Sequence, residues 1–352
     1  MLTDSKIYKQ DIDKIMATAG GLAKELSGDI LVTGATGLIG SQLAYALLES
    51  KKLNPELRLH LLVRSREKAE RLFGEALKDA EVIVGDVTTF DSYDGNLDYV
   101  IHAASQTASK EFVTHPVEVT YETLTGTKNL LALAKEKNVR KFVYLSTMEV
   151  YGTPQTDEKI REDRELTTRS DKARNCYPLS KILCENLCLN YFSEYGLNTV
   201  ILRLTQTFGA GVNYNDGRVF AEFARCVVEN RDIVLKTLGE TKRNYLYTAD
   251  AVKAILLVLT KDEANGEIYN VANEDTYCSI AQMAKMVAGE IADGKINVKF
   301  ELSDTESRGY APTLKMNLAT DKLKALGFEA ETGLCEAFGN LIEWMREQKP
   351  NE

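Results

Sequence analysis

The short segment YPLSK, Tyr177 to Lys181, places a phenol and an amine four residues apart. On a helix this spacing puts both side chains on one face. A free tyrosine titrates at about pH 10, and a neighbouring ammonium is expected to lower that pKa by favouring the phenolate. Such a tyrosine can accept a proton from a sugar or alcohol hydroxyl while a hydride leaves the same carbon. Because YxxxK is common by chance, the segment taken alone also fits an ordinary surface helix.

A second segment, LSTMEVYG, is predicted to end a strand at the carboxyl edge of a sheet. Doubly wound folds bind their ligands at this edge. Thr147 is therefore expected to hydrogen-bond the same substrate oxygen that Tyr177 deprotonates. The two segments together favour a catalytic site over an ordinary helix.

The elements that must position these residues alternate between short apolar runs and longer helical periods from Asp29 to Leu204. The runs are DILVTG, RLHLLV, AEVIVGDV, LDYVIHAAS, KFVYLST and NTVILRL. Nearly continuous apolar strands are typical of a parallel sheet with helices on both faces. The predicted fold class is α/β, a doubly wound parallel sheet (Rossmann) with a smaller mixed α/β C-terminal substrate lobe.

The predicted organisation has three parts. Residues 1–27 form a helical extension, in which Ile7, Ile12, Ile15 and Met16 lie on one side. Residues 28–205 form the dinucleotide-binding domain, with a return segment at about 244–272. Residues 206–243 and 273–352 form the substrate-binding lobe.

The segment TGATGLIG follows the first predicted strand and precedes an Ala/Leu-rich helix. Glycine lets the backbone turn sharply and lets a phosphate approach, while the helix N-terminus offers free N–H groups. In that context the GxxGxxG spacing favours dinucleotide binding over a plain turn. The predicted cofactor contacts in this segment are Gly34, Thr36, Gly37, Leu38, Ile39 and Gly40.

The end of the second strand bears on the choice of dinucleotide. An acidic residue there accepts the ribose hydroxyls of NAD, but this sequence has Arg64, Ser65 and Arg66. A guanidinium suits a 2′-phosphate, so NADP is slightly favoured over NAD. The alternative is that both arginines simply begin a solvated helix face.

Two further segments are predicted to contact the cofactor. Asp86 and Val87 follow EVIVG, where the carboxylate can meet the adenine edge. The backbone of Ala103, Ala104 and Ser105, in HAAS, is expected to line the pyrophosphate and nicotinamide side. His102, in the same segment, is interpreted as a structural residue.

With TGATGLIG, HAAS and YPLSK in this order, the sequence resembles the extended short-chain dehydrogenase/reductase family, in particular its nucleotide-sugar epimerases and dehydratases. The resemblance runs from Asp29 to the C-terminal segment. It implies a catalytic set of Thr147, Tyr177 and Lys181, of which Tyr177 and Lys181 also contact the cofactor, with Glu149 as a second base near C5 of an oxidised sugar. A salt-bridged loop residue is the alternative role for Glu149.

The resemblance also shows departures. Met148 stands where many 4,6-dehydratases carry an aspartate, and a thioether cannot donate a proton, which puts standard 4,6-dehydration in doubt. Asn244 replaces an aspartate, and Thr123 a frequent structural asparagine. The implied substrate is a nucleotide-diphosphate sugar, and the implied assembly is a homodimer through a helix bundle that includes the Tyr177 helix. The predicted substrate contacts are Gln106, Met148, Gln206, Arg218 and Arg243.

Composition excludes several classes of protein. The formal net charge of -9, without a long Lys/Arg run, argues against nucleic-acid binding. No segment reads as a signal peptide or a membrane span. The six scattered cysteines favour reduced thiols in a cytoplasm. No metal site is predicted, since Cys184 and Cys188, one turn apart, are interpreted as packing residues.

The function predicted from these observations is an NAD(P)-dependent nucleotide-sugar epimerase or dehydratase, in which the sugar ring is transiently oxidised, at C4 in the favoured version. Its product is left open between an epimer, a dehydrated sugar and a decarboxylated one. One alternative is an NADPH-dependent reductase of a keto sugar or sugar phosphate. The other is a non-catalytic nucleotide-binding regulatory protein on the same fold.

Overall fold

The structure is a computed structural model that describes residues 1–302 and 313–348. Its strands are β1 (Gly28–Thr33), β2 (Leu57–Val63), β3 (Ala80–Val84), β4 (Tyr99–His102), β5 (Lys141–Thr147), β6 (Thr199–Leu204), β7 (Gln206–Phe208), β8 (Ile233–Leu235), β9 (Lys242–Tyr247), β10 (Glu267–Val271), β11 (Asn273–Ser279), β12 (Val298–Phe300) and β13 (Lys315–Met316).

The α-helices are α1 (Lys6–Glu25), α2 (Leu38–Leu53), α3 (Arg66–Phe73), α4 (Glu111–Thr114), α5 (Pro116–Glu136), α6 (Cys176–Tyr195), α7 (Val219–Val228), α8 (Thr248–Thr260), α9 (Ile280–Met286), α10 (Asp321–Lys324) and α11 (Leu334–Gln348). Single 3-10 turns at Met148–Tyr151 and Ala173–Asn175 flank the predicted site. Within the described ranges, no helix is both long enough and apolar enough to cross a bilayer.

Seven parallel strands form the central sheet in the order β10-β6-β5-β4-β1-β2-β3. Strands β5 and β6 are buried along their whole length, which explains their near-continuous apolar sequence. The order reverses at β1, because β2 lies on one side of it and β4 on the other. This arrangement confirms the predicted fold class and places a ligand crevice between β1 and β4.

The second half of the chain adds a smaller mixed layer. Strand β9 is its centre and pairs with β7 and β13 in parallel and with β11 antiparallel. Strands β8 and β12 form a separate two-stranded pair. Strand β10 returns to the large sheet beside β6, so the chain crosses between the two layers.

Helix α1 packs against α2, α8 and α11. Ile12 and Ile15 are buried on its inner side. On the same side Asp11 accepts hydrogen bonds from Gln42 Nε2 at 3.0 Å and from the Tyr247 hydroxyl at 2.8 Å. Burial raises the pKa of Asp11 to about 7, because no cation bonds this carboxylate among the described residues and the charged form is desolvated.

A buried ion pair joins α6 to β6 below the carboxyl edge of the sheet. Arg203 bonds both carboxylate oxygens of Glu185 at 2.7 to 3.1 Å. Glu185 also accepts a short hydrogen bond from the Ser146 hydroxyl, and Arg203 donates to the Tyr151 hydroxyl at 2.9 Å. These bonds hold the strand that ends at Thr147 against the helix that contains Tyr177 and Lys181.

Candidate active site

The glycine loop between β1 and α2 has no room for side chains at two of its glycines. Gly34 adopts φ +68°, and a Cβ there would come within 2.7 Å of the Ala103 carbonyl carbon. A Cβ on Gly40 would lie 2.1 Å from the Gly34 oxygen. Gly37 is the N-cap of α2 and provides no side-chain cap. This cradle, at a helix N-terminus, fits the pyrophosphate of a dinucleotide.

The segment after β4 closes the other side of the crevice. The amide of Ala104 donates to Thr33 Oγ1 at 3.2 Å, and this hydroxyl also bonds His102 Nδ1 at 2.8 Å. His102 Nε2 lies 3.2 Å from Thr127 Oγ1. Burial, and then the ammonium of Lys181, lowers the pKa of His102 to about 3. The imidazole is therefore neutral and ties β1, β4 and α5 together, in agreement with its predicted structural role.

Thr147, Tyr177 and Lys181 come together at the carboxyl end of β5. All three are buried. Thr147 Oγ1 accepts a hydrogen bond from the Glu149 amide at 3.3 Å, and the Thr147 side chain acts to lower the pKa of Tyr177. Lys181 Nζ lies 5.9 Å from the centroid of the Tyr177 ring and donates to the Leu145 carbonyl at 2.7 Å. A hydroxyl, a phenol and an amine thus face the end of one strand.

One sequence prediction about this cluster is wrong in the structure. The pKa of Tyr177 is raised, chiefly by burial and next by the Glu149 charge, and Thr147 and Arg218 offset this only in part. Burial also lowers the pKa of Lys181 to about 8. Burial of the phenol destabilises the phenolate and therefore outweighs the lowering that the four-residue spacing predicted.

Phe112 is a site residue that the sequence analysis missed. Its ring is buried and stacks on the Tyr177 ring, with centroids 4.5 Å apart and planes 8° apart. Phe112 lies in α4, a single turn of helix after the HAAS segment. A lone aromatic in a loop offers no spacing signal, and only its contact with Tyr177 reveals it.

Glu149 forms an ion pair at the edge of the cluster. Its Oε2 lies 2.9 Å from Arg174 Nη1, and about a third of each side chain is exposed, 30% and 34% respectively. Met148 is buried, and its thioether accepts a hydrogen bond from the Thr205 hydroxyl at 3.3 Å. Position 148 therefore presents no proton donor, and the salt-bridged state that was one interpretation of Glu149 is present.

The chain is similar to known proteins in both sequence and fold. The model of the family described as "NAD dependent epimerase/dehydratase family" matches residues 30–272. The chain belongs to the NAD-dependent epimerase/dehydratase family. Human dTDP-D-glucose 4,6-dehydratase is 30% identical to it over 345 residues, which cover 94% of this chain and 93% of the human protein.

Other members of the epimerase/dehydratase family match over most of their length. UDP-glucuronic acid decarboxylase 6 of Arabidopsis thaliana is 28% identical over 318 residues, covering 90% of this chain and 88% of the relative. The fold resembles that of UDP-glucose 4-epimerase from Thermotoga maritima, with a TM-score of 0.77, 22% identity, and coverage of 91% and 99%. It also resembles UDP-glucuronic acid 4-epimerase from Bacillus cereus in complex with UDP-glucuronic acid and NAD, with a TM-score of 0.76, 20% identity, and coverage of 91% and 100%.

The end of β2 in this epimerase/dehydratase chain is basic. Arg64, Ser65 and Arg66 are exposed. Ser65 accepts a hydrogen bond from Lys68 N at 3.1 Å and so caps α3, while Arg66 donates to the Val82 carbonyl at 2.9 Å. Lys68 was not among the cofactor contacts predicted from the sequence.

The charges around Lys68 make this region a cationic cluster. Partial burial, then Arg64 and Arg71, lowers the pKa of Lys68. An anion bound among the three side chains would relieve their mutual repulsion.

Asp86 and Val87 lie across from this basic cluster. Asp86 Oδ1 accepts bonds from the amide and the hydroxyl of Thr88 at 2.9 and 2.7 Å. Partial burial alone would raise the Asp86 pKa, but these bonds and the Arg64 charge lower it. Val87 packs on Gly126, where an added Cβ would approach it to 2.7 Å. The carboxylate is held in a fixed turn beside the crevice.

The two predicted substrate arginines differ in their surroundings. Arg243 Nε, on β9, is buried and has no hydrogen-bond partner among the described residues. Arg218, at the N-cap of α7, is already bonded to the Asp216 carboxylate at 2.6 to 3.1 Å. Arg218 is still close enough to Tyr177 to lower its pKa, so it faces the predicted site.

The remaining predicted residues lie at the edge of the site or in the structure that supports it. Gln206 is half-buried at the start of β7. Gln106 Oε1 accepts from the Ala108 amide at 3.2 Å, and Ser105 donates to the Gln106 carbonyl at 3.5 Å. Asn244 is fully buried, and its oxygen accepts from the Leu318 amide at 2.7 Å. The asparagine that replaces the family's aspartate is thus a structural link between β9 and the segment after β13.

A cavity of about 630 Å³ lies on the other side of β9. It is lined by Gln155, Leu238, Lys242, Ser279, Gln282 and Lys315, among others, and contains none of the predicted site residues. Lys242 and Arg243 are successive residues of one strand, so their side chains point to opposite faces. The cavity is separate from the Tyr177 cluster.

Proposed function

We propose that this chain is an NAD(P)-dependent enzyme that transiently oxidises the ring of a nucleotide-linked sugar, at C4, and returns the hydride before release. The observation that carries the proposal is the buried Thr147–Tyr177–Lys181 cluster beside a glycine cradle that leaves no room for a Cβ. Membership of the epimerase/dehydratase family supports it.

The bound dinucleotide would be held by the Gly34–Gly40 loop and by the backbone of Ala103 and Ala104, and would supply the hydride acceptor and a positive charge. Tyr177 is proposed to take the proton from O4 as the hydride leaves C4, which requires its phenol to be ionised first; the positive charge of the bound dinucleotide would offset the effect of burial and favour the phenolate. Thr147 hydrogen-bonds the same oxygen and orients it. Lys181 would add positive charge near the phenol and would bind the nicotinamide ribose of the dinucleotide.

A ketone at C4 acidifies the C5–H bond, so that C5 can lose its proton and regain one on the opposite face; in a uronic acid the same ketone lets CO2 leave from C5, with the electron pair of the broken bond held as an enolate that C5 protonation then quenches. Glu149 lies in the 3-10 turn that follows the strand ending at Thr147, and it is proposed as the base that accepts the C5 proton. Met148 cannot protonate a departing C6 hydroxyl. The product is therefore proposed to be an epimer or a decarboxylated sugar rather than the product of standard 4,6-dehydration.

A diphosphate is the group that best matches the two arginines. The buried Arg243 Nε has no hydrogen-bond partner within residues 1–302 and 313–348, and an unpaired buried donor has a cost that an incoming phosphate oxygen would remove. Arg218 would change partners from Asp216 to the diphosphate. The shape of this pocket determines which nucleotide and which sugar the enzyme accepts.

The cofactor is proposed to be NADP. No carboxylate stands at the end of β2, and Arg64, Lys68 and Arg71 form a cationic group there. A 2′-phosphate would be neutralised by this group, whereas the ribose hydroxyls of NAD would find no acidic acceptor on β2. The basic cluster also favours the second candidate function, an NADPH-consuming reductase of a keto sugar, in which the cofactor dissociates after each turnover.

The enzyme is proposed to be a cytoplasmic homodimer. Val113, Val117 and Tyr121, on α4 and α5, and Leu183 and Tyr195, on α6, expose more than two-fifths of their surface. Adjacent helices with exposed apolar side chains match a helix-bundle interface between two copies. All six cysteines are free thiols, which suits a reducing compartment.

The test starts from the protein as purified, denatured to release nucleotide for mass spectrometry and absorbance. The folded protein is then incubated with UDP-, dTDP-, GDP- and CDP-sugars, including uronic acids, without added NADPH. Retained cofactor and conversion of one sugar are expected, and Tyr177→Phe should abolish conversion. An empty protein that only oxidises added NADPH on keto sugars would establish the reductase instead. A Tyr177→Phe variant with unchanged cellular function would favour the non-catalytic alternative.

A further inference from the structure

The predicted site is assembled from two separate pieces of chain. One piece is the end of β5 and the following 3-10 turn, which contains Thr147 and Glu149. The other is the turn Ala173–Asn175 and the start of α6, which contains Tyr177. The relative position of these two pieces decides whether the carboxylate and the phenol face the same sugar.

The backbone of Glu149 is fixed by its own neighbours. Its amide donates to Thr147 Oγ1 at 3.3 Å, and its carbonyl accepts from Thr168 Oγ1 at 3.4 Å. Its side chain is about one-third exposed, and among the described residues its cationic contact is Arg174 Nη1 at 2.9 Å. Without that contact the carboxylate would be free to rotate towards water.

Arg174 is connected to Tyr177 in two ways. The residues are three apart in the segment that begins α6, so they move together. The Arg174 guanidinium carbon also lies 5.7 Å from the centroid of the Phe112 ring, which stacks on Tyr177. Cys176 Sγ contacts the Phe112 carbonyl at 3.6 Å and holds the same turn. The guanidinium therefore bridges Glu149 and the Phe112–Tyr177 stack.

We propose that Arg174 is a positioning residue that aims the Glu149 carboxylate at the sugar and balances its charge beside Tyr177. This inference rests on the proposed function. It adds a residue that acts through Glu149 rather than on the substrate.

Charge balance matters because several groups face the Tyr177 phenol. Glu149 raises the tyrosine pKa, whereas Thr147 and Arg218 lower it. Lys181 lies on the next turn of α6, with Nζ 5.9 Å from the ring. Loss of Arg174 would leave Glu149 unneutralised, and the pKa of Tyr177 would rise further. The ascending limb of the pH–rate profile would then move to higher pH.

The test uses the full-length protein and the sugar nucleotide that the panel identifies. Arg174→Gln should lower kcat by about 10- to 100-fold with KM within about threefold, since it impairs a proton transfer rather than binding. It should slow solvent deuterium incorporation at C5 of the sugar and move the ascending limb upward. Arg174→Lys keeps the charge and should recover part of the activity. Arg169→Gln is the matched control, because Arg169 is largely exposed and pairs with Asp171.

A double-mutant cycle decides whether Arg174 acts through Glu149. In a Glu149→Gln background, Arg174→Gln should cause no additional loss of kcat. An equal loss in both backgrounds would overturn the inference, because it would mean that the guanidinium contacts the substrate. An active wild type with an unimpaired Arg174→Gln variant would also overturn it. If the wild type itself converts no sugar on the panel, the proposed function fails, and this inference fails with it.

Discussion

Two arginine–glutamate pairs lie near the same edge of the sheet and differ in burial. Arg203 and Glu185 are each 4% exposed and share three bonds of 2.7 to 3.1 Å. Arg174 and Glu149 are 34% and 30% exposed and share one bond of 2.9 Å. The chemistry of the two pairs is the same, but water reaches only the second.

This difference in burial suits the Arg203–Glu185 pair to a structural role and the Arg174–Glu149 pair to a role in catalysis. The buried pair has additional partners in Ser146, Tyr151 and the Glu162 carbonyl, so a change of partner would leave a desolvated charge. The open pair can break and re-form at small cost because water replaces the lost bond. A carboxylate that transfers protons must be able to change its bonding partner. The strand and the helix beneath it must instead be held in fixed positions.

Breaking the buried Arg203–Glu185 pair should cause the largest decrease in the free energy of unfolding. Arg203→Met leaves Glu185 charged and without its cation, and removal of one partner of such a pair costs about 3 to 5 kcal/mol. Urea unfolding at pH 7 should show this decrease in the free energy of unfolding. Arg161→Met is the control, because Arg161 is 69% exposed in its pair with Asp321, and it should change stability by less than about 1 kcal/mol. Equal effects of the two substitutions would contradict the distinction.

Asp11 can be compared with these two glutamates as a buried carboxylate to which no cation is bonded among the described residues. Asp11 is 1% exposed, and its folded-state pKa of about 7 lies above its unfolded value of about 3.9. The folded protein therefore binds one more proton than the unfolded chain between these values, and its stability falls as the pH rises from about 4 to 7. The ionised Asp11 costs the fold on the order of 2 to 4 kcal/mol above pH 7.

Asp11→Asn removes this titration and keeps an acceptor for Gln42 and Tyr247. Its free energy of unfolding should match that of the wild type near pH 4 and exceed it at pH 8 by the amount given above. Chemical unfolding of both proteins at several pH values measures the difference, since the other titrations cancel. A difference that does not vary with pH would show that Asp11 is ionised throughout.

The sequence was sufficient for the backbone-determined parts of the molecule. The parallel strands follow from the apolar runs, and the cradle follows from Gly34 and Gly40, because these features depend on local periodicity and on the absence of a Cβ. The partners of side chains were less predictable. Phe112 and Arg174 were missed because the contacts that matter join residues more than 20 positions apart. The expected effect of Lys181 on Tyr177 was wrong because burial cannot be read from a four-residue spacing.

The smallest effect is expected for the coupling between Arg174 and Glu149 in the folded protein. A partly exposed pair with one bond should contribute about 0.2 to 1 kcal/mol to stability, measured by a double-mutant cycle of Arg174→Gln and Glu149→Gln. Its coupling should shrink between low salt and 1 M salt, where the screening length falls to about 3 Å. The Arg203–Glu185 pair should keep its contribution in the same salt, because ions do not reach it. A coupling above about 3 kcal/mol that ignores salt would mean that both pairs are scaffold, and that Glu149 is too tightly held to accept a proton from the sugar.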